Sequence, residues 1–221
     1  MYNLEISSLF DLEKTCAAGL FADRRYPWEV LGDIKGFILQ LGETLAPEKF
    51  DHPAADIWIA KDAKVAPTAC LNGPLIVDEG AELRHCCFVR GAAIVGKGAV
   101  VGNSVELKNC VLFDGVQVPH FNYVGDSILG YKAHMGAGSV TSNVKSDKRD
   151  IMIHAGEGIP TGRRKIGAML GDRAEIGCNS VLNPGTVVGR DCIVYPTSCV
   201  RGVIPERHIY KDEHHIVLRE E

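Results

Sequence analysis

The chain has 221 residues, 46% of them hydrophobic and 24% charged, with a formal net charge of −4. This length suits one domain with an appendage, and the acidic balance gives nucleic-acid binding no bulk electrostatic support. No apolar run approaches a membrane span and Met1-Tyr2-Asn3-Leu4-Glu5 lacks a signal-peptide pattern, so a cytoplasmic protein is expected.

Residues 1–50 predict an α-helical hairpin. Ser8 with Asp11 resembles a helix start and an apolar-rich stretch follows to Phe21. Pro27 suits a first helical position, and Val30, Leu31, Ile34, Phe37, Ile38 and Leu41 keep helical spacing up to Gly42. The apolar face of such a hairpin needs a partner: the flank of the following domain, a second subunit or another protein. Residues 51–57 read as a linker.

From Ile59 the pattern changes. Ile59, Val65, Leu71, Val77, Leu83, Val89, Val95, Val101 and Leu107 recur every six residues, and the step resumes through Leu170, Ile176, Leu182, Val188, Val194 and Val200. Helices repeat at about 3.6 and strands at 2, so neither explains it. A sustained period of six predicts a β-solenoid over 57–203, in which three hexads make one triangular coil and stacked coils complete a shared core. A second small or modest residue follows each aliphatic by four, as at Ala63, Ala69, Ala81, Cys87 and Ala99. Two five-residue steps, Leu107 to Leu112 and Val124 to Leu129, break the count.

Residues 143–167 lack the hexads and read as a loop insertion. It carries Lys145, Lys148, Arg149, Arg163, Arg164 and Lys165 against Asp147, Asp150 and Glu157, which suits a flap over an anionic ligand. Residues 204–221 form an acidic C-terminal tail, either mobile or capping the open solenoid end. The eight cysteines form no CxxC pair and are expected as structural free thiols, with Cys87 and Cys192 as compact apolar fillers.

His120 is the best candidate general base, since it stands between the two irregular steps in Pro119-His120-Phe121-Asn122-Tyr123. Arg90, Lys108 and Lys165 are candidate phosphate partners. Arg90 and Lys108 occupy the same hexad position and differ by 18 residues, so they should stack one coil apart on one outer groove. Glu106 offers a plain surface ion pair instead. Gly136-Ala137-Gly138-Ser139 supplies small residues where a cofactor arm could approach the backbone, or simply tight turns.

Gly102-Asn103-Ser104-Val105-Glu106-Leu107-Lys108-Asn109, Pro119 to Ser127 and Gly136 to Asn143 resemble the acetyltransferase half of bifunctional N-acetylglucosamine-1-phosphate uridyltransferases. Thr161 to Ala168 and Leu170-Gly171-Asp172 resemble the archaeal-type sugar-1-phosphate nucleotidylyltransferase/acetyltransferases. The resemblance spans roughly 57–203. It implies a mainly β fold, a left-handed parallel β-helix of hexapeptide repeats, assembled as a homotrimer with sites between subunits. It also implies transfer of acetyl from acetyl-CoA to an amino-sugar 1-phosphate such as glucosamine-1-phosphate, without a metal. His120 then matches the base, Arg90, Lys108, Tyr123 and Lys165 the sugar-phosphate set, and Ala137 and Asn143 the cofactor site. His134 stands where the family has an Asn of the sugar set, Cys178 where it has a Ser near the cofactor, and Val144 where the bacterial enzymes have a Tyr.

No Gly-rich nucleotide loop precedes a Rossmann-like unit here, and fifty residues cannot house one, so no nucleotidyltransferase activity is expected of these residues. Two other readings stand beside the acetyltransferase. One is a non-catalytic oligomerisation or regulatory partner of a sugar nucleotidyltransferase. The other is a γ-class carbonic anhydrase-like metalloenzyme using His85, His120 and His134, which lack short paired spacing.

Overall fold

The computed structural model describes residues 3–220. Its body is a mainly β solenoid of stacked parallel coils, as the six-residue period predicts. Each coil has three faces. Face 1 stacks Lys64–Val65, Glu82–Leu83, Val100–Asn103, Gln117–His120, His134–Met135, Glu175–Ile176 and Ile193–Val194 in parallel register. Face 2 stacks Cys70–Leu71 on Phe88–Val89, then on the first halves of Glu106–Leu112 and Tyr123–Leu129, then on Val140–Thr141, Val181–Leu182 and Cys199–Val200. Face 3 runs from Ile57–Ala60 through Leu75–Val77, Ala93–Val95, the second halves of the two long strands, Ala168–Leu170 and Thr186–Val188 to Val203–Ile204. The hexad aliphatics Leu83, Val101, Val118, Val89, Leu107, Val124 and Leu182 point inward at 0–1% exposure. Each contributes about 1.5–3 kcal/mol of burial.

The two five-residue steps have a structural cause. Asn109 (φ 51°) and Asp126 (φ 49°) turn the corner between faces 2 and 3 in single left-handed residues. Asn and Asp tolerate this conformation better than branched side chains. The chain therefore crosses the corner without a break, giving the seven-residue strands Glu106–Leu112 and Tyr123–Leu129.

The N-terminal segment is helical in part, and it is not a two-helix hairpin. Its first arm is a four-residue helix α1 (Ile6–Leu9) followed by 3-10 turns at Leu12–Lys14 and Ala18–Phe21. A 3-10 segment Pro27–Gly32 then leads into α2 (Ile34–Gly42), the one sustained helix. This arm follows the solenoid surface, which fixes its shape more than helix propensity does. Asp172 N–H donates to the Leu9 carbonyl at 3.0 Å, and Asp114 N–H to the Lys14 carbonyl at 3.0 Å. The rings of Phe10 and Phe21 lie 5.2 and 5.7 Å from that of Phe113.

The partner of the apolar segment is face 3. Its outward residues Ile76, Ile94, Val111, Ile128, Met169 and Val187 are all fully buried. On this face, unlike the others, inward and outward side chains are both inside, as parallel strands covered on both sides require. Gly42 sits against the Trp58 ring so closely that a Cβ there would lie 2.4 Å from it.

The remaining segments also take ordered forms. Phe50–Ala54 pairs antiparallel with Ile57–Ala60, so the expected linker is an entry hairpin. The insertion folds back through an antiparallel pair, Met152–Ile153 with Ile159–Pro160, and buries Ile151 and Ile153. Coil stacking continues past residue 203: Ile209 and Tyr210 pair with Ile193 and Val194. His215–Leu218 then folds back antiparallel on His208–Asp212, so the tail is a terminal hairpin. The eight cysteines are free, with Cys87, Cys110 and Cys192 buried. Burial pushes the Cys110 thiol up to about 12 and those of Cys87 and Cys192 up to about 11. Among the described residues no helix is long and apolar enough to cross a membrane.

Candidate functional site

Face 2 carries the polar cluster. Val89 is paired with Leu107 and Lys108 with Gly125, so Arg90 and Lys108 stack in the expected order on the outer side. Neither cation is free, however. Arg90 Nη1 lies 2.8 Å from Glu106 Oε1, and Lys108 Nζ lies 2.9 and 3.1 Å from the two carboxylate oxygens of Asp126. Glu106 thus pairs with Arg90 across coils and not with its sequence neighbour Lys108.

Asp126 is the hub that sequence reasoning missed. It is 3% exposed, and three side chains besides its own backbone converge on it. Lys108 and Asn109 donate to Oδ1, the latter at 2.8 Å, while Asn143 Nδ2 donates to Oδ2 at 2.5 Å. Asn143 Nδ2 also donates to Tyr123 Oη at 3.1 Å. Burial, with the carboxylates of Asp126 and Glu106 nearby, raises the Tyr123 phenol above its ordinary range. The signal was present in the five-residue steps, because both left-handed corner residues, Asn109 and Asp126, belong to this cluster.

Lys165 is exposed at the root of the insertion and has no side-chain partner among the described residues. Its position follows from its neighbours: Ile166 N–H donates to the Asn143 carbonyl at 3.1 Å and Gly167 N–H to the Asp126 carbonyl at 2.8 Å. The insertion's other cations are largely engaged. Lys145 pairs with Asp147 at 3.3 Å, Arg164 with Asp150 at 3.8 Å, and Arg163 Nη2 donates to the Glu29 carbonyl at 3.1 Å. The Asn109 amide reaches the Leu31 carbonyl at 3.0 Å, so the N-terminal segment borders the cluster.

His120 stands at the adjoining corner, between faces 1 and 2. Its ring is exposed and has no partner among the described residues. Its backbone is held firmly. His120 N–H donates to Asn122 Oδ1 at 3.1 Å, and Asn122 Nδ2 donates to the Gly136 carbonyl at 2.8 Å and to Ser139. Asn122 is 2% exposed, a buried amide tying the turn that carries His120 to the Gly136-Ala137-Gly138 turn above it. Gly138 N–H donates to the His120 carbonyl at 3.0 Å and Asn179 N–H to the Ala137 carbonyl at 2.8 Å. His120, Ala137 and Cys178 therefore form one corner column on three successive coils. Tyr123, three residues after His120, joins this column to the Asp126 cluster.

His134 is not brought to that cluster. It lies on face 1, where its Nδ1 is 2.8 Å from Glu175 Oε2. Nor do His85, His120 and His134 gather. His85 bonds Thr68, and no grouping of His, Cys, Asp and Glu among the described residues suits a metal ion. A cleft of about 940 Å³ between the N-terminal segment and the last coils shares no residue with the cluster. Its four arginines are each paired with a carboxylate, so it offers no surplus charge: Arg24 with Asp33, Arg25 with Glu5, Arg173 with Asp191 and Arg190 with Asp172.

The profile of the GMPPB C-terminal domain matches residues 71–154. The bifunctional sugar-1-phosphate nucleotidylyltransferase/acetyltransferase of Sulfurisphaera tokodaii is 32% identical over 219 residues, covering 89% of this chain and 54% of that protein. The bifunctional protein GlmU of Methanococcus maripaludis is 25% identical over 221 residues, covering 91% of this chain and 50% of its own. The chain thus spans about half the length of these curated relatives. Among solved structures, a mutant of perosamine N-acetyltransferase from Caulobacter crescentus in complex with CoA and GDP-perosamine is similar at 17% identity and TM-score 0.36, over 75% of this chain and 57% of that one. Over most of its length, this chain is similar to about half of these bifunctional sugar-1-phosphate nucleotidylyltransferase/acetyltransferases.

Proposed function

We propose that the chain is an acyltransferase that moves acetyl from acetyl-CoA to the amine of an amino-sugar 1-phosphate, glucosamine-1-phosphate or a close relative. The observation that carries this reading is the adjacency of two features. An exposed imidazole sits on a well-bonded corner, and the next strand leads from it into an ion-paired polar cluster organised on Asp126. In this mechanism His120 takes a proton from the attacking amine as the C–N bond forms at the thioester carbonyl. The Ala137 N–H, the turn amide not already bonded to a neighbouring coil among the described residues, stabilises the oxyanion, and the thioester C–S bond then breaks with the proton passing to the departing thiolate. A thioester needs no Lewis acid for this step. Lys108, Arg90, Tyr123 and Lys165 hold the sugar phosphate, with Lys165 as the cation free to move onto it. Ala137, Asn143 and Cys178 border the pantetheine arm. The small side chain at Ala137 and the open corner column support that assignment.

We further infer a homotrimer with sites between protomers, as the relationship to the sugar-1-phosphate acetyltransferases suggests. The experiment is acetyl-CoA consumption across amino-sugar 1-phosphates, with the free sugars as controls and the N-acetylated product identified by mass. Phosphate-dependent turnover is expected. No turnover with any amino-sugar 1-phosphate rejects the reading.

A further inference from the structure

A second group of reactive side chains lies on the same corner, two coils before His120. His85 is the counterpart of Asn103 and His120 in the stack: Ser104 N–H donates to the His85 carbonyl and Phe121 N–H to the Asn103 carbonyl. Its imidazole is bonded on both sides. Nδ1 is 2.7 Å from Thr68 Oγ1, and Nε2 is 3.2 Å from Cys86 Sγ. Thr68 Oγ1 also accepts from Cys86 N–H at 3.2 Å, which fixes the hydroxyl between the two residues. All three residues are exposed.

This is a nucleophile beside a base, with the base oriented by a third group, the arrangement that activates a thiol. We propose that Cys86 is a reactive thiol and a modification site that takes up a small-molecule disulfide. The step balances as thiol–disulfide exchange. The Cys86 S–H proton moves to His85 Nε2, and the thiolate attacks one sulfur of the incoming disulfide. A new S–S bond forms to Cys86 as the old one breaks, and the departing thiolate recovers the proton from His85. The product is a mixed disulfide on Cys86 and one free small thiol. The hydroxyl of Thr68 holds the ring in place throughout.

The chain contains its own controls. Cys70, Cys178 and Cys199 are exposed as well, yet no imidazole reaches their sulfurs among the described residues, and the Cys199 sulfur accepts from the Asn183 amide instead. Exposure alone therefore predicts similar behaviour for all four, whereas the dyad singles out Cys86. The proposal stands independently of the acetyl transfer proposed above.

The test is a time course with the disulfide of β-mercaptoethanol, a small neutral probe, on the intact chain, read by peptide mapping and mass. Cys86 is expected to acquire the adduct about tenfold faster than Cys70, Cys178 or Cys199, and to lose it to dithiothreitol. His85→Gln should lower the Cys86 rate to that of the other three, and Thr68→Val should lower it severalfold. Both substitutions are at the surface, and unchanged circular dichroism checks the fold. Equal rates at the four cysteines, or a Cys86 rate untouched by His85→Gln, overturns the proposal.

Discussion

Lys108 grips both oxygens of Asp126 across one coil step, and the lysine side chain is 27% exposed while the carboxylate is 5% exposed. The cation is thus neutralised before any ligand arrives. An ammonium has three donors, so Lys108 can keep Asp126 and still offer a hydrogen to a phosphate. Arg90 is similarly engaged by Glu106, although that pair is more exposed and easier to exchange. A site prepared this way avoids a cluster of like charges in the free protein.

Lys108→Met should therefore act in two ways. It leaves a nearly buried carboxylate held by two amides only, costing about 2–3 kcal/mol of stability. It should also raise KM for the sugar phosphate. Adding Asp126→Asn should restore part of the stability without restoring KM. Urea denaturation and steady-state kinetics on the single and double variants check both. A double variant no more stable than the single one would show that the pair is not coupled.

His120 and Asn122 separate the proposed base from the group that positions it. His120→Gln should lower kcat by about 10²–10⁴ with the melting temperature unchanged, because the ring is exposed and has no hydrogen-bond or ionic partner among the described residues. Asn122→Ala keeps the imidazole but frees the His120 amide and cuts the side-chain link from this turn to Gly136 and Ser139. It should cost about 1–3 kcal/mol and also lower kcat. A folded Asn122→Ala enzyme with full kcat would remove the positioning role.

Ile94 tests how face 3 is covered. Its side chain points away from the solenoid interior yet is fully buried. Ile94→Ala should cost about 2–4 kcal/mol, measurable by denaturation, and Ile94→Asp should detach the N-terminal segment and make residues 1–46 sensitive to protease. This face also shows what could be read from the sequence. The inward aliphatics were legible because a period of six fits no other regular element. The outward column Ile76, Ile94, Val111, Ile128, Met169 and Val187 is equally present in the chain, one residue per coil, but it has no six-residue period of its own. That column identifies the partner of the N-terminal segment. The segment's own shape was less legible, since helical spacing from Val30 to Leu41 marks α2, whereas the turns before it follow tertiary bonds such as Asp172 to Leu9. At the site, the motif residues were found by resemblance, but the engagement of Lys108 and Arg90 was not. Charge counting along a chain cannot tell which carboxylate, Glu106 or Asp126, lies within reach of which cation.

Tyr123 gives a pH-dependent prediction. Its phenol is raised first by burial and then by Asp126 and Glu106. A raised phenol holds its proton longer in the folded chain than in the unfolded one. The associated stability is present below the unfolded value, about 10, and is lost as pH rises through the higher folded value. Alkaline melts should therefore fall more steeply for the wild type than for Tyr123→Phe. Parallel curves would show that the phenol titrates as it does in water.

Arg163 ties the insertion to the N-terminal segment. Its guanidinium donates to the Glu29 carbonyl, 134 residues away, and lies against Gly32, where a Cβ would come within 2.9 Å of Nη2. The same segment receives the Asn109 amide at Leu31, so one strand of backbone is bonded both to the insertion and to the Asp126 cluster. Loss of this tie should loosen the insertion more than the solenoid, because Ile151 and Ile153 anchor only its middle. Arg163→Ala should speed tryptic cleavage at Lys145, Lys148 and Arg149 several-fold at unchanged global stability, with a higher KM for the sugar phosphate as Lys165 loses its fixed root. Gly32→Ala, which crowds the guanidinium instead of removing it, should give the same cleavage pattern more weakly. If both variants resist trypsin like the wild type, the tie does not hold the insertion, and the backbone bonds of Ile166 to Asn143 and Gly167 to Asp126 suffice to position Lys165.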